Sequence, residues 1–161
     1  MAALTLAALL FAAQPEPREQ QWVWREQQGD GQPLPHAIFL SWDFGHVIFH
    51  ASCSREAPDT LELRYFPDHG IGTRDESGHV VLDPVPPIVL KRGTASLTLR
   101  TGLLWDSIVG RARIDPALLA LLRPSENGLG IAAVNETGDD WDVGQAEPLY
   151  RLALACDDAQ R

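Results

Sequence analysis

Apolar and polar residues alternate most cleanly over Phe44 to Cys53, with Val47, Phe49, Ala51 and Cys53 on one side. Phe44, His46, Ile48, His50 and Ser52 fall on the other. The run Thr60 to Phe66 alternates too, setting Leu61, Leu63 and Tyr65 against Glu62, Arg64 and Phe66. Pro58 and Asp59 punctuate the connection, so the two runs predict a β-hairpin. Matching their apolar sides places Leu61 beside Cys53, Leu63 beside Ala51 and Tyr65 beside Phe49.

Weaker signals surround this hairpin. Trp22-Val23-Trp24 starts a strand, Gly29-Asp30-Gly31 reads as a turn, and Ala37 to Leu40 reads as a second short strand. Pro67 to Gly78 is a polar loop, followed by short strands at Val80 to Leu82 and Ile88 to Leu90. Pro84, Pro86 and Pro87 between those strands suit edges and connections, not a central ladder. Ser96 to Arg100 alternates again, and Arg100-Thr101-Gly102 predicts a turn. Ser107 to Ile114 resumes the alternation, with Ile108, Gly110, Ala112 and Ile114 opposite Val109, Arg111 and Arg113.

At Asp115-Pro116 the period changes. Asp is a good N-cap and Pro is favoured at the first helical position, so PALLALLR predicts a short helix ended by Pro124. Leu129 to Asn135 reads as another strand. Pro148 can open a final helix in which Leu149, Leu152, Ala153 and Cys156 form one apolar stripe at i, i+3, i+4 and i+7. The pattern predicts an α+β fold, mainly antiparallel β. The expected architecture is a sandwich or small barrel with a short mid-chain helix and a C-terminal helix packed on the sheet. Most strands are separated by turns, which disfavours a parallel α/β arrangement.

The opening of the chain changes the picture of where it works. Ala2 to Ala13 (AALTLAALLFAA) is about a dozen apolar residues, the length of an export signal and short of the roughly 20 that span a membrane. No Lys or Arg precedes it and no clean A-x-A triplet follows. The alternative is a short buried helix of a cytoplasmic domain. Residues 1–14 are expected to be a signal peptide, 15–21 a flexible lead-in and 22–161 a single β-rich domain. The expected location is periplasmic or secreted.

Export makes the two cysteines informative. Cys53 ends a strand-like run and Cys156 a helix-like one, each on the apolar side of its element. In an oxidising compartment they predict a disulfide that staples the helix to the sheet, worth roughly 4 to 5 kcal/mol in the chain-entropy model. In a cytoplasmic core they would be two buried thiols. With no C-x-x-C pair, a redox motif is not indicated.

Charge and motifs narrow the function without fixing it. The 161 residues carry a formal charge of −9, and the few basic residues do not cluster in sequence, which predicts no nucleic-acid partner. His46 and His50 lie on a strand, so their side chains start roughly 13 Å apart, too far to share one metal ion. Asp139 to Gly144 fails the calcium-loop spacing, because Trp141 and Val143 occupy ligand positions. It reads as a hydrated turn with Trp141 packed on the core. Asn135-Glu136-Thr137 matches a glycosylation sequon. No cofactor or metal is predicted.

Two surfaces invite a role. Trp22 and Trp24 share one strand face and are the best candidates for a recognition patch. Asp68 and His69 in the glycine-containing loop, with His79 further on, form the best candidate acid–base site, although no G-x-S-x-G elbow surrounds any serine. The expected function is an exported non-enzymatic domain that binds a protein or cell-envelope component. The alternatives are a small hydrolase using Asp68, His69 and His79, and a structural envelope module.

Overall fold

The structure, a computed structural model, describes residues 21–28, 33–41, 46–67, 72–133 and 139–158, with side chains for those from 47 onward except 139. The predicted segment 1–14, residues 15–20 of the predicted 15–21 lead-in, the 29–31 turn and the sequon lie outside the described residues, while Gln21, the last residue of that lead-in, opens the first strand. The first four strands, β1 (Gln21–Gln28), β2 (Pro33–Ser41), β3 (His46–Cys53) and β4 (Thr60–Tyr65), form an antiparallel meander. The predicted hairpin register holds residue for residue: Phe49 faces Tyr65, Ala51 faces Leu63 and Cys53 faces Leu61. A short ribbon follows: β5 (Thr73–Arg74), inside what the sequence presents as loop, pairs with β6 (Val80–Val81), the strand predicted at Val80 to Leu82.

The chain then builds a second sheet. Strands β7 (Ile88–Arg92) and β8 (Ala95–Thr98) form a hairpin, and β9 (Arg100–Leu104) and β10 (Ser107–Arg113) form the next. After helix α1 (Pro116–Leu122) come β11 (Gly130–Ala133), β12 (Asp139–Asp142) and helix α2 (Glu147–Asp158). The large sheet has the order β1-β2-β3-β4-β10-β9 and the smaller one β12-β11-β7-β8. Every strand pair is antiparallel. This is the expected α+β, sandwich-like architecture.

Three sequence expectations are corrected. Arg100-Thr101-Gly102 is not a turn but the first part of β9, paired with Arg111, Gly110 and Val109. The turn comes later, at Trp105-Asp106, between the paired residues Leu104 and Ser107. Gly102 misled because glycine also serves a strand where no side chain is needed, and a Cβ there would meet nothing within 4 Å. The acidic stretch before α2 is the strand β12 and not a turn, with Trp141 paired to Ile131 and packed edge-on to Phe49 at 6.4 Å. The helix α2 begins at Glu147, one residue ahead of Pro148.

One core serves both sheets. Phe49, Leu63 and Ile108 from the large sheet meet Ile88, Leu90 and Ile131 from the small one, closed by Leu118 and Leu122 of α1 and Leu149 and Leu152 of α2. The sheets come closest at Gly110, where an added Cβ would lie 2.8 Å from Leu99 Cδ1 and 3.2 Å from Ile88 Cδ1. Leu99, buried at the corner between β8 and β9, donates its amide to Ile88 O while the chain passes from one sheet to the other.

The helices end as their sequences direct. Asp115 caps α1 by accepting from Leu118 N at 2.8 Å, and Pro116 occupies the first turn. The α2 stripe buries Leu149, Leu152, Ala153 and Cys156 across the inner face of β1–β4. Cys156 is bonded to Cys53 with a Cα–Cα distance of 5.5 Å, closing a sequence separation of 103 residues. The disulfide fixes the last helix to the central hairpin. Among the described residues, no helix is long and apolar enough to cross a membrane.

Candidate functional site

The inner face of the large sheet is spent on the core, so any site on that sheet must use its outer face. The register defines this face row by row. One row crosses β3, β4, β10 and β9 as Ser52, Glu62, Arg111 and Arg100; the next runs His50, Arg64, Val109 and Gly102. Thr60 and Arg113 form a third. Four arginines therefore collect on one face of a chain whose net charge is −9.

Glu62 organises them. Its side chain is only 8% exposed, and its two oxygens are shared between two guanidinium groups. Arg64 donates to Oε1 from Nε at 3.2 Å and from Nη2 at 2.9 Å, and Arg111 donates to Oε2 from Nε at 3.0 Å. Burial pushes the Glu62 carboxyl up, but the hydrogen bonds from Arg64 and Arg111 and their charges outweigh it and hold it below the ordinary range. Glu62 thus remains ionised and locks both arginines against the sheet. Arg113 is tied to Asp59 at 3.0 Å, while Arg100 is exposed and has no partner among the described residues. Counting Glu62 and Asp59 against these four arginines leaves the face cationic.

Planar guanidinium groups held in fixed directions suit carboxylate, phosphate or sulfate oxygens, which accept two parallel hydrogen bonds. On this face Arg111 uses only Nε for Glu62. Its terminal nitrogens and the whole of Arg100 have no acceptor among the described residues. The sequence shows Glu62 and Arg64 on the polar side of a strand. It does not show that Arg111, 49 residues later, completes the cluster.

The predicted acid–base site is only partly placed. Asp68 and His69 lie outside the described residues. His79 sits in the exposed turn between β5 and β6, and its Nδ1 lies 2.6 Å from Ser77 Oγ. Ser77 Oγ also donates to Asp75 Oδ1 at 2.6 Å. Asp75 further accepts the amides of Ser77 and His79, each at 2.9 Å. The Ser77 hydroxyl and the His79 amide hold the Asp75 carboxyl below its usual range. In a nucleophile relay the imidazole stands between carboxylate and hydroxyl. Here the hydroxyl bonds both groups, and Nδ1 is 3.8 Å from the carboxylate. The arrangement does the work of a turn, in which one carboxylate collects the amides of a tight bend.

Trp22 and Trp24 are β1 positions paired with Phe39 and Ala37, which pair in turn with Phe49 and Ala51. Their side chains lie outside the described ones, so the predicted recognition patch is placed only by this backbone register. His50 is half-buried across from Arg64, as its strand position predicts. Among the described residues, no group of three or more His, Cys, Asp or Glu side chains is placed to hold a metal ion.

The sequence matches no family model and none of the curated proteins. Among solved structures, the chain is similar to the invasion associated protein b from Bartonella henselae, with 14% identity, a TM-score of 0.46, and coverage of 88% of this chain and 94% of that one. A likeness of that identity and score says nothing about function.

Proposed function

We propose that this chain is an exported, non-enzymatic domain that binds an anionic protein segment or cell-envelope component on the outer face of its large sheet. The export half rests on the disulfide, which ties a central strand to the last helix and persists only where thiols are oxidised. The binding half rests on one observation: four arginines gathered on a single face of an acidic chain, two of them held in place by the buried Glu62. Recognition on this reading belongs to the arginine face.

Co-sedimentation with isolated cell-envelope fractions tests it. The Arg100→Glu/Arg113→Glu variant reverses two exposed charges and leaves the Glu62 cluster intact, so folding is retained. Wild type should sediment with the envelope fraction, less so as salt rises, and the variant should stay in solution. Equal sedimentation of both proteins would remove the arginine face from the function.

A further inference from the structure

The large sheet ends on β9 and the small sheet on β8, and only Leu99 separates the two strands. Ala95 to Leu104 is therefore one continuous edge shared by both sheets. Exposed edges are usually blunted by proline, lysine or a bulge. This one has no proline and no lysine, its pairing with β10 is regular, and Arg100 is its single charge. In an antiparallel ladder every second residue of an edge strand aims its amide and carbonyl away from its neighbour. Among the described residues, nothing pairs with the outer side of β9.

Three features mark this edge. Gly102 stands at the centre of β9, without a positive φ and with open space around its missing Cβ. Arg100 lacks a partner among the described residues. Trp105 is 87% exposed and has a φ of 56°, a left-handed conformation that glycine adopts freely and a bulky residue only at a cost.

We propose that β9 pairs with β9 of a second copy, antiparallel about a two-fold axis at Gly102, so that two six-stranded sheets become one. The register follows from the axis. Gly102 faces Gly102 of the partner subunit, Thr101 faces Leu103 of the partner subunit, and Arg100 faces Leu104 of the partner subunit. Arg100 then lies one position from Trp105 of the partner subunit, and the contact occurs twice. The unpartnered guanidinium and the exposed indole meet as a cation–π pair. The two Arg100 charges stand roughly 13 Å apart, beyond the Debye length at physiological salt, so the pairing opposes no like charges at close range. Glycine at the axis lets the backbones approach without side-chain conflict. The edge is complementary to itself, which is what an isologous interface needs.

Sedimentation equilibrium and cross-linking of the purified protein test the proposal. Wild type should be a dimer at about 0.1 mM, the concentration dependence giving the constant. Gly102→Cys adds one thiol to a chain whose Cys53 and Cys156 are already bonded to each other. At the axis its Cα lies within the roughly 4.4 to 6.8 Å that a disulfide requires, so mild oxidation should give a covalent dimer. Ser96→Cys, exposed on the same edge but away from the axis, should cross-link at least about tenfold more slowly. Gly102→Lys sets two like charges face to face and should weaken the dimer at least about tenfold, while the melting temperature of the monomer is kept because the new side chain meets open space. A monomeric wild type, equal cross-linking of the two cysteine variants, or a dimer untouched by Gly102→Lys would each overturn the proposal.

Discussion

Leu63 and Glu62 are neighbours in β4, both buried, on opposite faces of one sheet. Leu63 is surrounded by the apolar core, and its burial follows from removing hydrocarbon from water, worth about 1.5 to 3 kcal/mol for such a side chain. Glu62 is buried between two guanidinium groups, and its ionised state survives because Arg64 and Arg111 offset the desolvation. The inner face holds the fold together through packing that does not change with pH. The outer face around Glu62 is held through charge and contributes little net stability. On the proposed reading, one strand separates stability from recognition by the parity of its residues.

The largest expected effect is on the inner face. Leu152→Ala should cost about 2 to 5 kcal/mol, as for other large-to-small core changes, because Leu152 is fully buried under α2. Arg151→Ala, one residue away but exposed, should cost under about 1 kcal/mol. Urea titration of both variants with the disulfide intact gives the two values. Small and equal losses would mean that the sulfur bridge alone holds the helix, and the contrast between the faces would fail.

A smaller and pH-dependent effect is expected on the outer face. Removing both partners of Glu62, with Arg64→Ala and Arg111→Ala, should cost about 1 to 3 kcal/mol at neutral pH, because a buried carboxylate is left without donors. In the wild type the carboxyl is held low. Its contribution is complete above the ordinary value near about 4.3 and is lost as the pH falls through the lower folded value. In the variant, burial acts unopposed and the carboxyl rises. The gap between the two proteins should therefore narrow as the solution is acidified. A gap that stays constant between about pH 7 and pH 3 would contradict the charge account.

The same division governed what the sequence revealed. The β3–β4 register was legible because both strands alternate over several residues and a one-residue slip would turn Cys53, Ala51 and Phe49 away from the core. The α2 stripe was legible because Leu149, Leu152, Ala153 and Cys156 repeat at the helical period, and the disulfide followed from the two apolar sides. The arginine face was not legible, since Glu62 and Arg111 meet through a strand pairing that alternation alone does not assign. β9 was hidden by Gly102, and the turn beyond it by Trp105, a residue whose left-handed backbone no turn signal announces. β12 was hidden because Asp139, Asp140 and Asp142 surround its single large apolar residue, Trp141.

Mass spectrometry of the native protein, digested without reductant, tests the central claim most directly, that this is an exported chain stapled from its central hairpin to its last helix. The account predicts one peptide pair joined through Cys53 and Cys156 and a mature N-terminus between about residues 13 and 19. Both cysteines recovered as free thiols, in a cytoplasmic chain that keeps Met1, would contradict it.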